Sequence, residues 1–232
     1  MEKTLKVTNV MSDPTRFNIY QYLVENHDDV NVTEIAELFD IHPNVARLHL
    51  SKLEDVNLVT SYLLKTGKGG RPGRRYKLSD EVIEVNFPAR DYKILSSITL
   101  ESLIELGEPG KQALYQTGKK YGIKAIENYT LPQNTDTTID QKIKMLENAG
   151  RMLGMYPTFT YQPESESISF SVQNCPFKEI ATDNYEIVCD MHHSFLKGMF
   201  EALFTGIELI EEKNMFTDGC SNCAYTAKLT NV

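Results

Sequence analysis

The stretch that decides the fold of the N-terminal region is HPNVARLHLSKLEDVNL at residues 42–58, followed closely by KTGKGGRPGRRYKL at residues 65–78. Proline is favoured at the first position of a helix, so the first segment predicts a helix that begins at Pro43. The glycines of the second segment predict the turn of a β-hairpin, with strands at residues 59–65 and 74–78. Together they predict a helix followed by a charged hairpin.

Two further helices are predicted upstream. Asp13 before Pro14 is an N-cap signal, and apolar residues follow it at helical spacing. Asn31 and Glu34 have the spacing of a capping box that opens a short second helix. The third helix would bury one stripe, formed by Ala46, His49, Leu50 and Leu53. Three helices and a hairpin in this order predict a winged helix-turn-helix domain.

The exposed residues of this domain are candidates for contacts with duplex DNA. A recognition helix points its first turns at base edges, and lysine or arginine nearby binds phosphate. Arg71 lies in a tip of glycines and one proline, which suits a narrow minor groove. The predicted DNA-contacting residues are Asn44, Arg47, Ser51, Lys52, Lys68, Arg71, Arg74 and Arg75. The alternative is that they are ordinary solvated residues.

Charge is distributed unevenly along the 232 residues, which carry a net charge of -8. Residues 1–80 contain 11 basic and 11 acidic side chains, so the excess of acid lies entirely in the remainder. A cationic patch would therefore meet the phosphates while the acidic half stays away from them. No apolar run approaches the roughly 18 residues of a membrane helix, and the N-terminus lacks the apolar core of a signal peptide. We expect a cytoplasmic protein with no membrane contact.

The C-terminal part predicts a second domain. Residues 81–92 have the composition of a linker between a DNA-binding domain at residues 1–80 and a sensor and dimerisation domain at residues 93–232. Three helical segments, two alternating strands, another helix and two closing strands follow in order, so we expect an α+β fold. Aromatic and methionine residues such as Tyr115, Met155 and Phe159 would line a ligand pocket, or else form ordinary core.

All four cysteines lie in the last quarter of the chain: Cys175, Cys189, Cys220 and Cys223. A Cys-x-x-Cys pair places two thiolates where one ion can bind both, and two more cysteines complete a four-sulfur set. Thiolates select zinc or iron–sulfur clusters, which sequence does not separate. Disulfides and unrelated buried thiols are the alternatives. His192 and His193 could replace one thiolate, but their position predicts surface histidines.

Three segments carry a family resemblance: DPTR at residues 13–16, LHLSKLEDVNLV at residues 48–59 and GRPGRRYKL at residues 70–78. They resemble the start of ArsR-like winged-helix repressors and, more narrowly, the Suf-operon repressors, and NCPF at residues 174–177 resembles the cluster-binding half of that family. The resemblance implies a homodimeric, redox-sensing regulator, most simply a repressor, whose binding to a double-stranded operator depends on an iron–sulfur cluster held by the four cysteines.

A second hypothesis makes the C-terminal domain a small-molecule sensor in which the cysteines hold a structural zinc. An enzyme is the least favoured class. The sequence contains no Ser/His/Asp set, no HExxH motif and no nucleotide-binding loop. We therefore expect a regulator without enzymatic activity.

Overall fold

The computed structural model describes residues 2–64, 73–129 and 137–230. The chain forms two compact units, Met1–Arg90 and Asp91–Val232. The first unit contains four helices and a β-hairpin: α1 (Glu2–Met11), α2 (Pro14–Asn26), α3 (Val32–Leu38), α4 (Pro43–Glu54), β1 (Val59–Leu64) and β2 (Gly73–Leu78).

Local side-chain contacts define where the helices of this unit begin. Asp13 caps α2 by accepting a hydrogen bond from the backbone N–H of Arg16 at 2.8 Å. Asn31 caps α3, and its own backbone N–H donates to the carboxylate of Glu34, which completes the predicted capping box. His42 caps α4 through Nδ1, which accepts from the N–H of Asn44 at 3.2 Å. These contacts satisfy N–H groups that would otherwise have no partner at a helix start.

The hairpin joins the helices through one additional bridge. Strands β1 and β2 are antiparallel, with Val59 opposite Leu78 and Leu64 opposite Gly73. Val30 and Tyr76 exchange two backbone hydrogen bonds of 2.8 and 2.7 Å, so the segment before α3 extends the sheet. Tyr76 is 1% exposed and belongs to the same core as α2, α3 and α4. The hairpin is therefore anchored in the helical core.

Within the described residues, the second unit contains four helices and a four-stranded sheet, and α6, α7 and α8 pack with the sheet. Its elements are α5 (Tyr92–Glu105), α6 (Glu108–Tyr129), α7 (Ile139–Met152), β3 (Thr158–Gln162), a short 3₁₀ turn (Pro163–Ser165), β4 (Ser167–Val172), α8 (Lys178–Glu201), β5 (Ile207–Lys213) and β6 (Cys223–Leu229). The antiparallel sheet has the order β3-β4-β6-β5. Helices and strands share one core, so this unit is α+β as expected.

Helices α6 and α8 approach each other at positions without side chains. A Cβ added at Gly122 would lie 1.9 Å from the carbonyl oxygen of Phe195, and one added at Gly198 would lie 2.1 Å from the carbonyl oxygen of Lys119. Only glycine permits so short a distance between helix backbones. Ser194 Oγ adds a hydrogen bond of 2.6 Å to the carbonyl of Tyr115. The path of α8 is therefore fixed by its contact with α6.

Two helices differ from the sequence-based expectation. The N-terminal helix α1 was not predicted, although Val7 and Val10 pack into the first core. The sequence predicts the helix before the closing strands at residues 190–204, but the observed helix α8 begins twelve residues earlier, at Lys178. Its backbone leaves helical geometry at Asn184 (φ -140°, ψ 44°). Among the described residues, no helix has the length and apolar character that a membrane span requires.

Candidate functional site

Helix α4 separates its buried and exposed side chains as the sequence predicts. The predicted stripe of Ala46, His49, Leu50 and Leu53 is buried, and each of these residues is less than 10% exposed. The opposite face carries four predicted DNA-contacting residues, of which Asn44, Arg47 and Lys52 are exposed and Ser51 is half-buried. Arg47 Nη1 donates to Asn44 Oδ1 at 3.2 Å, which holds the two side chains together at the start of the helix.

The hairpin arginines are held by the protein's own carboxylates. Arg74 Nη2 lies 2.9 and 2.7 Å from the two carboxylate oxygens of Glu54, and its Nε donates to Ser61 Oγ at 2.8 Å. Arg75 pairs with Glu34 at 2.7 Å and also contacts the carbonyl of Asp29. Arg74 and Arg75 thus fix the strand to α4 and α3, a structural role that was not predicted from the sequence. The other two predicted hairpin residues, Lys68 and Arg71, lie outside the described residues.

Three of the four cysteines gather at one end of the C-terminal sheet. Cys223 begins β6 opposite Val172, the last residue of β4, and Cys175 follows three residues after Val172. Cys189 lies on α8 and is half-buried. In addition to burial, charges on Cys223 and Cys189 raise the pKa of Cys175, and a charge on Cys189 raises the pKa of Cys223, so these three sulfurs lie within electrostatic range of one another. Cys220 precedes β6, and its thiol donates to the carbonyl of Asn222 at 3.0 Å.

The thiols occupy an apolar setting that favours their neutral form. Burial raises the pKa of Cys175 to about 12 and also raises the pKa values of Cys189 and Cys223. Removing a thiolate from water without a partner is costly, which is why burial has this direction. The loop after β5 partly offsets the effect, because the N–H of Met215 donates to Cys223 Sγ at 3.4 Å and the Asn214 side chain hydrogen-bonds to Cys189.

The prediction that the two histidines beside Cys189 lie on the surface was wrong for His192, which is buried. His192 is 4% exposed, and its Nδ1 lies 3.8 Å from Cys175 Sγ. Burial lowers the pKa of His192 to about 4, and its Nε2 has no hydrogen-bond partner within the described ranges. His193 is half-buried, and its Nε2 lies 3.1 Å from the carbonyl oxygen of Leu209. His192 follows Cys189 by about one helical turn, so the two side chains lie on the same face of α8. This spacing could be read from the sequence.

Cys175, Cys189 and Cys223 are called the thiol cluster below. Their sulfur atoms are suitable ligands for a soft metal, but the side chains are not yet arranged around a metal position. In the part of the chain that the structure describes, no three His, Cys, Asp or Glu side chains are already arranged around a metal-sized position. The donors are nonetheless the soft type that binds zinc or iron–sulfur centres. The backbone N–H of Met215 donates to Cys223 Sγ, and His192 Nε2 has no hydrogen-bond partner among the described residues. The residues fit a metal centre provided that side chains reorient.

The residues suggested for a ligand pocket form core instead. Met155 is 1% exposed in the main core of the second unit, and Phe159 packs against it. Phe159 also stacks on Phe170, with 5.3 Å between the ring centroids. The alternative interpretation, that these side chains are ordinary core, is therefore correct for Met155 and Phe159.

Comparison with known proteins identifies the N-terminal region. Residues 11–62 match the family model described as a helix-turn-helix domain. No curated protein matches the chain. A solved structure described as the phenol-responsive sensory domain of the transcription activator PoxR with phenol is 15% identical, with a TM-score of 0.45, over 79% of this chain and 89% of that one. The chain thus carries an N-terminal helix-turn-helix domain, which points to a regulator rather than an enzyme, followed by an α+β domain.

Proposed function

We propose that this protein is a transcription regulator that binds double-stranded DNA through α4 and the β1–β2 hairpin. The observation that carries the proposal is the exposed face of α4, where Asn44, Arg47 and Lys52 project opposite a fully buried stripe. In helix-turn-helix domains the corresponding helix enters the major groove, and Asn and Arg are side chains that read base edges there. Asn44 and Arg47 at the start of α4 would then determine which DNA sequence the protein recognises.

A gel-shift titration on the promoter of the protein's own gene tests this proposal. We expect a saturable complex that is lost when Asn44 and Arg47 are both replaced by Ala. Glu37→Ala is the matched control, because it changes an exposed charge on α3 and leaves α4 intact. Loss of binding in the double variant only, with unchanged circular dichroism, supports the role of α4. Equal binding by all three proteins would refute it.

We further propose that the active form is a homodimer. Helix α5 exposes Ile94 and Ile98, each 58% accessible, and such apolar surface is commonly covered by a partner. A pair of recognition helices about 34 Å apart reaches successive major grooves on one side of DNA. Sedimentation of the protein and of Ile98→Glu tests this: we expect a dimer and a monomer, respectively. A wild-type monomer at all concentrations would refute the homodimer.

The third element of the proposal is control of DNA binding by a sulfur-ligated centre. Cys175, Cys189 and Cys223 supply three soft donors, while Cys220 lies two residues from Cys223 on a loop. His192 is the alternative fourth ligand, because its ring already contacts Cys175. An iron–sulfur cluster would add a redox-sensitive group here, whereas zinc would add a structural cross-link.

Metal analysis of anaerobically purified protein distinguishes an iron–sulfur cluster from zinc. Stoichiometric iron and sulfide with visible absorption support the cluster, and a colourless protein with one zinc supports the structural role. Cys175→Ser, Cys220→Ser and His192→Ala separate the candidate ligands. Full metal content in Cys175→Ser would remove the thiol cluster from the proposal.

Metal binding would regulate DNA binding because it links cysteine side chains from separate segments of the chain at one centre. Cys175 follows β4, Cys189 lies on α8 and Cys223 begins β6, so occupation would order these three elements against one another. A change in their packing would alter the dimer and hence the spacing of its DNA-binding helices. Gel shifts with the apo and the reconstituted protein test this step. Equal operator affinity in the two states would end the switching hypothesis.

A further inference from the structure

A cavity of about 510 Å³ lies between α5, α6 and α8 of the second unit. Helix α5 contributes one wall, Leu114 of α6 a second, and Phe177 with residues of α8 a third. Leu100 and Val188 are 8% and 3% exposed and lie at its base, whereas Tyr92 and Leu95 are 65% and 60% exposed, so the cavity is open to solvent along α5. This volume lies within the range of roughly 300–1,000 Å³ that is usual for small-molecule sites. The cavity is distinct from the core that surrounds Met155 and Phe159.

The walls of this cavity are almost entirely hydrocarbon. Of the lining residues that the structure describes, none is charged, and the hydroxyls belong to Tyr92, Ser96 and Thr99. Ser96 Oγ donates to the carbonyl of Tyr92 at 2.7 Å, and Thr99 Oγ1 donates to the carbonyl of Leu95 at 2.8 Å. These two hydroxyl protons are already used within α5. Water gains few partners in such a site, whereas an apolar molecule gains contact and leaves water.

One face of α5 lines the cavity, and the opposite face carries the exposed isoleucines proposed for the dimer. Tyr92, Leu95, Ser96, Thr99 and Leu103 line the cavity, at the spacing of one helical stripe. Ile94 and Ile98 are absent from the lining and lie on the opposite side of the helix by the same spacing of about 100° per residue. A second copy of the chain covering the Ile94–Ile98 face would therefore leave the cavity available.

The cavity wall is adjacent in sequence to the sulfur ligands proposed above. Phe177 lies two residues after Cys175, Val188 directly precedes Cys189, and Met191 directly precedes His192. The Phe177 ring also packs edge-on against His192, with 5.2 Å between the ring centroids. A molecule in the cavity would thus touch the residues next to three candidate metal-binding side chains.

We propose that this cavity binds a small, uncharged, largely hydrocarbon molecule, and that its occupation alters the accessibility of the thiol cluster. Ligand binding stands independently of the proposed function, while the effect on the thiols extends it. The lining disfavours carboxylates, phosphates and sugars, because it offers no charged side chain to pair with them and its buried base would desolvate a polar group without a partner. The ligand class is therefore aromatic or aliphatic, with few polar atoms.

Titration of the full chain with phenylnaphthylamine, an uncharged fluorescent arylamine, tests the ligand site. We expect saturable binding with one site per chain. Ser96→Phe places a ring in the cavity and should weaken binding about tenfold or more, a loss of about 1.4 kcal/mol or more. Ser97→Phe is the matched control, because Ser97 is the neighbouring serine and does not line the cavity; it should change the affinity less than about twofold. Thr99→Phe serves as a second filling variant should Ser96→Phe not fold.

Three results would overturn the ligand site. The first is a fluorescence titration that does not saturate. The second is an equal loss of probe affinity in Ser96→Phe and Ser97→Phe. The third is release of the bound probe as the protein concentration rises. The last would show that a second copy occupies the cavity.

Thiol modification tests the second half of the proposal separately. We expect bound phenylnaphthylamine to change the rate at which N-ethylmaleimide modifies the half-buried Cys189 by about threefold or more, in the wild type and in Ser97→Phe but not in Ser96→Phe. Mass spectrometry of the peptides assigns the modified cysteine. Saturable probe binding with an unchanged rate at Cys189 would refute the link between cavity and thiols. A failure of metal binding in the same preparations would instead bear on the proposed function alone.

Discussion

Replacement of Gly198 by Ala should destabilise the second unit, because the added Cβ has no room between α6 and α8. It would lie 2.1 Å from the carbonyl oxygen of Lys119, 3.0 Å from its carbonyl carbon and 3.2 Å from the backbone nitrogen of Ile123. All three are backbone atoms of a helix, so no flexible side chain can move aside. The helices must separate by about an ångström, and overpacking of this kind costs about 1–3 kcal/mol.

Two effects oppose each other in this variant. Alanine favours the helix over glycine by about 1 kcal/mol, which offsets part of the cost. Because the collision involves rigid backbone, we place the cost near the top of the range and expect a net loss of about 2 kcal/mol. The ion pair between Lys119 Nζ and Glu201 Oε2, at 2.6 Å, lies in the same contact and would be disturbed with it.

Urea unfolding followed by circular dichroism measures this loss. The transition of the second unit should move to lower urea, and that of the first unit should remain in place. Gly73→Ala is the control, because nothing lies within 4 Å of a Cβ added there; it should change stability by less than about 0.5 kcal/mol. If Gly198→Ala were as stable as the wild type, or more stable, α6 and α8 would not meet at Gly198.

Three other variants test the first unit. Asn31→Ala removes the side-chain acceptor of the capping box and leaves the backbone N–H of residue 31 bonded to Glu34; it should cost about 1 kcal/mol, measured by thermal unfolding, and an unchanged midpoint would contradict the role of the cap. His49 is buried beside Asp13 and Arg16, and burial lowers its pKa. The unfolded state therefore binds the proton more tightly, so stability should be full above about pH 6.5 and fall as pH decreases below it. In His49→Gln this decrease should disappear from the unfolding transition of the first unit, while the buried His192 keeps its own contribution in the second unit. A decrease that persists in the first unit would assign it to another group there. Arg47→Ala should reduce discrimination between operator and mismatched DNA by about 1–3 kcal/mol, whereas equal weakening on all sequences would indicate a phosphate contact.

The sequence predicted the first unit well because its signals are local. Pro14, Pro43 and the Asn31–Glu34 pair each act within one helical turn, and the observed caps use them as expected. Helix α1 escaped prediction because the stretch LKVTNV is rich in β-branched residues, which have modest helix propensity. Its Val7 and Val10 are held by burial in the first core, a tertiary effect.

Features of the candidate site were harder to predict because they depend on contacts between distant segments. The pairing of Arg74 with Glu54 and of Arg75 with Glu34 spans 20 and 41 residues. The cavity beside α5 needs three helices to form its walls. The sequence predicted that all four cysteines share one site; the structure brings Cys175, Cys189 and Cys223 together, whereas the thiol of Cys220 donates to the carbonyl of Asn222 within the loop before β6.

The ion pairs of Arg74 and Arg75 bear on how binding would respond to ionic strength. Each guanidinium already has a carboxylate of the same chain beside it, so fewer dissolved anions need to accompany it in solution. Affinity for a polyelectrolyte usually falls with added salt in proportion to the number of phosphates that are neutralised, by about 0.9 in logarithmic slope for each. With these two cations internally compensated, the salt dependence of operator binding should be shallower than a count of basic residues in the hairpin would suggest.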